Sequence, residues 1–199
     1  YEGGLWKKQR LVAVKAPVFS MSKLEGVDTY VGPEMKSTGE VMGIDFEFRP
    51  ALAKALMAAG LMLPASGGIL LTIADRNKPE AVPMVRDLAK SGYSLYATPG
   101  TAAMIAALEI PVVSVPKIQD EGHPNVADVI MDGTVDAVVN TVTGAREALQ
   151  DGFEIRRIAA ERRIPCFTSL DTARAAVESL TNGSESYNVK PLRAYRDGA

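Results

Sequence analysis

The feature that most constrains the fold is a regular alternation of short apolar segments with segments of helical spacing, which begins at Gly68. The apolar segments lie at residues 69–74, 93–97, 112–115, 136–140 and 165–168, and the helical segments at 79–90, 101–108, 125–131, 152–163 and 170–180. Strands that are apolar on both faces and alternate with helices are typical of a parallel sheet buried between two helical layers. We therefore predict an α/β fold, a three-layer Rossmann-like arrangement around a five-stranded parallel sheet.

Residues 1–45 do not show this alternation. Short strands are predicted at residues 11–14 and 17–19, and turn signals follow at 25–26, 32–33, 38–39 and Gly43. This part of the chain has too few apolar residues to close a core of its own. We interpret it as a short β-rich fragment of a larger domain.

A helix is predicted over residues 46–60, because Pro50 suits its first turn and Gly60 suits its C-terminal end. We therefore divide the chain into a fragment at 1–45, a linker helix and loop at 46–67, and an α/β domain at 68–199. After Thr181 the sequence is polar, and this tail either wraps the surface or frays.

Composition argues against several classes of partner. The net charge is −2 over 199 residues, which gives no reason to expect binding to nucleic acid or to an anionic membrane. The most apolar stretch, residues 51–64, contains Lys54 and is shorter than the roughly 20 residues that cross a bilayer. One cysteine, Cys166, and one histidine, His123, cannot form a disulfide within the chain or a Cys/His zinc site. We expect a cytoplasmic protein without a metal.

Two predicted strand-to-helix junctions carry small polar residues suited to binding an anion. Thr98-Pro99-Gly100-Thr101 follows one strand and opens a helix, whose N-terminal N–H groups and dipole attract phosphate. Asn140-Thr141-Val142-Thr143-Gly144 lies at the end of another strand. Because ligands bind beyond the carboxyl ends of parallel strands, both junctions can face one cleft.

Lys78 and Lys117 lie just past the ends of two further strands, where each can supply a cation to the same phosphate. These features also have ordinary structural explanations, namely a helix cap for the threonines and solvated surface charges for the lysines. His123 lies in a polar loop and is expected to be exposed or structural. We find no nucleophile elbow, Gly-x-x-x-x-Gly-Lys phosphate loop or acid–base pair, and so predict no catalytic residue.

Two groups of segments resemble known families. The motifs ATPGTA (97–102), Lys117, GHPNVADVI (122–130), VNTVTG (139–144) and IRR (155–157) resemble the methylglyoxal-synthase-like domain. The motifs VKAPVFS (14–20) and GPEMKSTGEVMG (32–43) resemble the end of the second ATP-grasp unit of carbamoyl-phosphate synthase large chains. The order of the two groups is also that of the large chain, and together they cover nearly the whole sequence.

The resemblance implies a regulatory role. Large chains of this family make carbamoyl phosphate from bicarbonate, glutamine-derived ammonia and two molecules of ATP, with Mg²⁺ or Mn²⁺, for pyrimidine and arginine biosynthesis. They work with a glutaminase small chain. Their methylglyoxal-synthase-like domain needs no cofactor and binds an anionic effector such as UMP, IMP or, in other branches, N-acetylglutamate. The effector contacts implied by position are Lys78, Thr98, Gly100, Thr101, Lys117, Asn140, Thr141, Thr143 and Gly144.

Two positions depart from the family pattern. Val142 stands where nucleotide-regulated relatives often have a threonine, and Ala16 stands where ornithine-activated relatives have a glutamate, so ornithine activation is not expected. Two other functions stay open: a stand-alone methylglyoxal-synthase-like lyase acting on a small phosphorylated substrate, or a structural module for homo-oligomer assembly. The lyase is the poorer match, because its Gly-Gly-Asp run is replaced here by Glu121-Gly122-His123.

Overall fold

The computed structural model describes residues 3–4, 10–19, 37–141, 146–181 and 189–197. The strands are β1 (Val12–Val18), β2 (Gly39–Asp45), β3 (Gly68–Thr72), β4 (Ser94–Ala97), β5 (Val113–Ser114), β6 (Ala137–Asn140) and β7 (Cys166–Phe167). The helices are α1 (Phe48–Ala58), α2 (Lys78–Lys90), α3 (Pro99–Ala106), α4 (Val126–Met131), α5 (Arg146–Glu161), α6 (Leu170–Thr181) and α7 (Leu192–Asp197).

The last five strands form one parallel sheet in the order β5-β4-β3-β6-β7. This arrangement confirms the fold class predicted from the apolar alternation. Each predicted strand of the sheet is present and is shorter than the apolar segment that predicted it. The strands end early because apolar residues at their ends, such as Ile73 and Val115, lie in buried loops rather than in the ladder.

Helices cover both faces of this sheet. The central strand β3 is buried throughout, and its side chains alternate between two cores as the pleat requires. Ile69 and Leu71 pack in the larger core, to which α1, α2, α3 and α6 contribute. Leu70 packs in the other core, with side chains of α4 and α5. The sheet therefore has no water-exposed face at its centre.

The N-terminal part forms a two-stranded antiparallel sheet of β1 and β2, with Val12 opposite Asp45 and Val18 opposite Gly39. Two details of the prediction are wrong here. The segments 11–14 and 17–19 belong to one strand, and the predicted turns at Gly39 and Gly43 lie inside β2. Gly43 is needed for packing, because a Cβ at this position would lie 1.9 Å from the carbonyl oxygen of Ala51 in α1.

Helix α1 fills the space between this small sheet and the larger one. It packs on β1 and β2 along one side and on α6 along another. Gly60 follows its end with a φ of +72°, and the Leu61 N–H bonds to the Leu56 carbonyl at 2.9 Å, as expected for a glycine-terminated helix. The polar tail after Thr181 returns to this region, where Tyr195 of α7 is buried.

Candidate anion-binding site

The order in which the chain adds strands reverses at β3, in the centre of the sheet, and a cleft lies at this point. From β3 the chain moves through β4 to β5 on one side, whereas β6 and β7 lie on the other side. Open parallel sheets bind ligands at such a switch point, beyond the carboxyl ends of the strands. A cavity of about 390 Å³ lies here, and Thr72 of β3 and Asn140 of β6 line it.

Seven of the nine residues predicted as effector contacts line this one cavity. They are Lys78, Thr98, Gly100, Thr101, Lys117, Asn140 and Thr141. The other two, Thr143 and Gly144, lie outside the described residues, as does Val142. The two junctions recognised in the sequence therefore meet at the same edge of the sheet, together with both lysines.

The first junction presents the N-terminus of α3 to the cavity. Thr98 occupies the cap position, but its side chain makes no capping hydrogen bond to the helix, so the ordinary cap expected for it is absent at this junction. Pro99 has no N–H group, and the Gly100 N–H lies in the first turn, where helices leave donors without intrahelical acceptors. The turn thus offers an amide and the positive end of a helix dipole.

The Thr101 hydroxyl is engaged in holding the cavity wall. Its Oγ1 accepts a hydrogen bond from the Ile73 N–H at 3.1 Å and lies 3.3 Å from the Ile73 carbonyl oxygen. Thr98 Oγ1 donates to Thr101 Oγ1 at 3.4 Å. Thr101 therefore ties α3 to the segment after β3, and only 1% of its surface is exposed. Its hydroxyl group therefore fixes the shape of the cavity wall.

The second junction holds the same segment from the other side. Thr141 Oγ1 accepts a hydrogen bond from the Ala74 N–H at 3.0 Å. The Asn140 amide donates to Thr72 Oγ1 at 2.8 Å, and its oxygen accepts from Arg156 at 3.3 Å. The loop after β3 is thus fastened on both sides, which gives the cavity a preorganised wall.

Arg156 is a residue that the sequence analysis did not assign to the site. It lies on α5 and is only 3% exposed. Its guanidinium group donates to the Asn140 side-chain oxygen and so fixes the orientation of the Asn140 amide. The signal in the sequence is the pair Arg156-Arg157 within the apolar face of a predicted helix, where one of two adjacent charges must point inward. Arg157 takes the outer position and pairs with Glu154 and Glu161.

Two described cations reach the cavity from the loop after β3. Arg76 lines it from a short 3₁₀ turn, and Lys78 begins α2. The Lys78 ammonium lies 2.7 Å from the exposed Asp75 carboxylate, and a Cβ on Gly100 would lie 3.1 Å from the Lys78 Nζ. The hydrogen bond from Lys78 holds the pKa of Asp75 below its usual value. Lys78 is therefore paired with Asp75 and lies directly against the N-terminus of α3.

Helix α5 also contributes residues to the cavity that were not among the predicted effector contacts. Asp151, Gly152 and Ile155 line it, and Asp151 adds a carboxylate to an otherwise cationic and hydroxyl-rich lining. Asp151 and Gly152 lie near the middle of α5, which was predicted to begin at residue 152, and Ile155 follows them one turn later. The helix in fact begins at Arg146, which brings this turn to the cavity.

His123 and Asp128 pair outside the cavity lining. Their side chains are 2.6 Å apart, and the His123 side chain is 78% exposed. Asp128 also accepts a hydrogen bond from the Asn125 N–H at 2.8 Å, which completes a capping box at the start of α4. These bonds, first from Asn125 and then from His123, lower the pKa of Asp128. The pair stabilises a helix end, in agreement with a structural His123.

Neither a metal site nor a membrane span is found in the part of the chain that the structure describes. There, no three histidine, cysteine, aspartate or glutamate side chains are grouped in a way that could hold a metal ion. Over the same residues, none of the helices combines the length and the apolar character needed to cross a membrane.

Comparison with known proteins agrees with the fold. The family model for the MGS-like domain matches residues 80–168. The chain is also 53% identical over 196 residues to the protein named carbamoyl phosphate synthase large chain in Thermomicrobium roseum. That match covers 98% of this chain and 18% of the relative, so the chain spans less than a fifth of the relative's length.

The parallel sheet and the family match define an MGS-like domain within the chain. With the similarity that extends over nearly all its residues, these findings support its assignment to the carbamoyl phosphate synthase large chains, as a C-terminal segment.

Proposed function

We propose that this segment is regulatory and that its MGS-like domain binds a small phosphorylated or otherwise anionic effector. The observation that carries the proposal is the cavity at the switch point, where Lys78, Arg76 and Lys117 line the same space as the N-terminus of α3. Cations, a helix N-terminus and free backbone N–H groups are the usual partners of phosphate in proteins. Its volume, about 390 Å³, is within the range of small-molecule sites.

Only some of the residues that line the cavity are proposed to contact the anion, because the others already form hydrogen bonds within the protein. Thr101, Thr141 and Asn140 hydrogen-bond to the segment 72–74 and shape the wall. We assign the contacts with the phosphate itself to Lys78 and the Gly100 N–H. Asp151 adds an acceptor suited to the hydroxyl groups of an effector such as UMP or IMP, as acidic residues serve ribose in other α/β sheets.

The activity, partners and cofactors of the parent enzyme are part of this proposal. The relative's name is that of a synthase of carbamoyl phosphate. We infer a cytoplasmic parent ligase that consumes ATP with Mg²⁺ or Mn²⁺ and receives ammonia from a glutaminase small chain. We assign ATP and the metal to the rest of the large chain. Residues 1–45 are then the end of an ATP-grasp unit, residues 46–67 a linker, and residues 68–199 the regulatory domain.

A structural route leads from the cavity to the preceding part of the chain. Lys78 begins α2, α2 packs on α6, α6 packs on α1, and α1 packs on β1 and β2. An effector can shift the balance between two arrangements of this stack only by its difference in affinity for them, typically about 1–3 kcal/mol. Helix α1 is the element through which such a shift would reach the ATP-grasp fragment.

Calorimetric titration tests the proposal. We expect the chain to bind at least one of UMP, IMP, N-acetylglutamate and inorganic phosphate, and Lys78→Met to weaken that binding by about tenfold or more, since hydrogen bonds to charged groups contribute about 1.5–3 kcal/mol. Lys90→Met is the matched control, because Lys90 is exposed at the far end of the same helix. No binding by any of the four, or equal losses in the two variants, would contradict the proposal.

A further inference from the structure

We propose that residues 189–197, named here the C-terminal strap, fasten helix α1 to strand β2. The strap would then control how firmly α1 is held against the small sheet of β1 and β2, a contact named here the α1 junction. The strap comes after α6, the last helix that packs on the parallel sheet, yet its Tyr195 contacts Phe46 and Lys54, near β2 and in α1. It therefore runs from one part of the chain back to the other. None of its residues lines the anion cavity.

Tyr195 is the anchor of the strap. It is 5% exposed, and its hydroxyl oxygen accepts a hydrogen bond from Lys54 of α1 at 2.7 Å. Its ring also packs against Phe46, just after β2, with the ring centroids 5.6 Å apart. One side chain thus contacts both the helix and the end of the strand that the strap joins.

Lys54 explains why the anchor is specific. Its ammonium group has three N–H donors, and the structure gives it three acceptors: the Ile44 carbonyl at 2.9 Å, the Asp45 carboxylate at 2.7 Å and Tyr195. Both charged side chains are only 16% exposed. Removing the Tyr195 hydroxyl therefore leaves one donor of a largely buried cation without its acceptor, a costly change for a charged group.

A second contact extends the strap along the same surface. The Lys190 ammonium lies 5.5 Å from the centre of the Phe46 ring, within the range of a cation–π interaction. Phe46 is therefore contacted by both ends of the strap, Lys190 at its start and Tyr195 in its helix. This places the aromatic ring at the centre of the docking surface.

The strap is suited to undocking as a unit. Its helix α7 has six residues, far fewer than the roughly 12–15 that an isolated helix needs, so docking is what holds it. Lys54 and Tyr195 are 141 residues apart, and releasing them breaks no hydrogen bond of the parallel sheet. The strap can therefore open while the MGS-like domain stays folded.

Amide hydrogen exchange tests this inference without reference to any effector. In the full chain carrying Tyr195→Phe, we expect the amides of α1 to exchange about tenfold faster than in the unmodified chain, because one charged hydrogen bond is lost. A chain ending at Thr181 should show a larger acceleration in α1. Exchange in β3 should stay unchanged in both. Leu192→Ala is the control, since Leu192 is on the same helix and 70% exposed.

Unchanged exchange of α1 in both variants would overturn the inference. So would an equal acceleration of α1 and β3, since the strap would then only add to the stability of the whole chain. Because the readout is exchange rather than binding, failure of the proposed effector function leaves this test intact.

Discussion

The anion cavity and the junction around α1 bring distant residues together in different ways. In the cavity, Thr101 and Thr141 reach the segment after β3 because parallel strands end at the same edge of the sheet. In the junction, a single lysine gathers partners from β2 and from a tail 141 residues away. The topology of the sheet brings the parts of the cavity together, whereas the junction depends on the side chain of Lys54 and its partners. We therefore expect mutations in the two regions to differ in what they disturb most, anion binding in one and the packing of α1 in the other.

The largest expected effect is on the junction. Gly43→Ala places a methyl group 1.9 Å from the Ala51 carbonyl oxygen, a clash with backbone that no side-chain movement relieves. We expect the packing of α1 on β2 to be lost, at a cost of about 3 kcal/mol or more. Limited proteolysis should then cut within residues 37–60, while anion affinity by calorimetry changes by no more than the coupling between the two regions, about 1–3 kcal/mol. Loss of anion binding together with the junction would show that the two regions are not separable.

The next effect is on the cavity. Thr101→Val keeps the shape of the side chain but removes the hydroxyl that bonds to both backbone groups of Ile73. We expect a loss of about 1–3 kcal/mol in the free energy of unfolding, because a buried N–H loses its acceptor. Thr101→Ser should restore most of this loss. Denaturant unfolding of the unmodified chain and the two variants measures these free energies. Full stability in the valine variant would contradict the role of Thr101 in holding α3 to the segment after β3.

The pH dependence of the junction gives a third test. Burial raises the pKa of Asp45, but hydrogen bonds from Lys54 and from the Phe46 N–H outweigh it and leave the pKa below its usual value. Likewise burial lowers the pKa of Lys54, but bonds to Asp45 and Tyr195 raise it overall. A carboxyl with a lowered folded pKa stabilises the fold above its unfolded pKa, about 3.9, and a lysine with a raised one below about 10.4.

Between these limits the stability from the pair should be constant. It should be lost as the pH falls through the lowered pKa of Asp45, and again as the pH rises through the raised pKa of Lys54. Melting temperatures across this range, with Asp45→Asn as the comparison, measure both limbs. If Asp45→Asn leaves the acid limb unchanged, another carboxyl is responsible for it.

The smallest effect separates stability from binding within the cavity. Gly100 lies in the first turn of α3, so Gly100→Ala should raise stability by about 0.5–1 kcal/mol through helix propensity. The new methyl group would lie 3.1 Å from the Lys78 ammonium, which must move away. We expect anion affinity to fall by about threefold, since a displaced cation weakens a charged contact. A variant that is more stable and binds as tightly as before would place Lys78 outside the anion contacts.

The fold could be predicted in detail because its signal is local. Each apolar segment and each helical segment is recognisable alone, and parallel topology then fixes that Thr98 and Asn140 lie at one edge. The same reasoning brought Lys78 and Lys117 to the cavity. The sequence could not show which hydroxyl groups form hydrogen bonds within the protein. Thr101 and Thr141 bond to the segment after β3, and these bonds depend on distances in the folded chain that sequence spacing does not define.

The junction could not be predicted for a related reason. In the sequence, Gly39 and Gly43 cannot be distinguished from glycines in turns, although both lie in β2. Only the close approach of α1 shows that Gly43 is required for packing. The partnership of Lys54 with Tyr195 joins a predicted helix to a polar tail, and nothing in either segment points to the other. Arg156 is intermediate, since its helical position signals burial but not that its partner is Asn140.

A crystal structure grown with inorganic phosphate shows whether the switch-point cavity receives an anion. We expect one phosphate in the cavity, contacting the Gly100 N–H and the Lys78 ammonium and displaced when UMP or IMP is added. A cavity that stays without phosphate at a concentration that saturates the calorimetric signal, with the ion bound elsewhere on the surface, would contradict it.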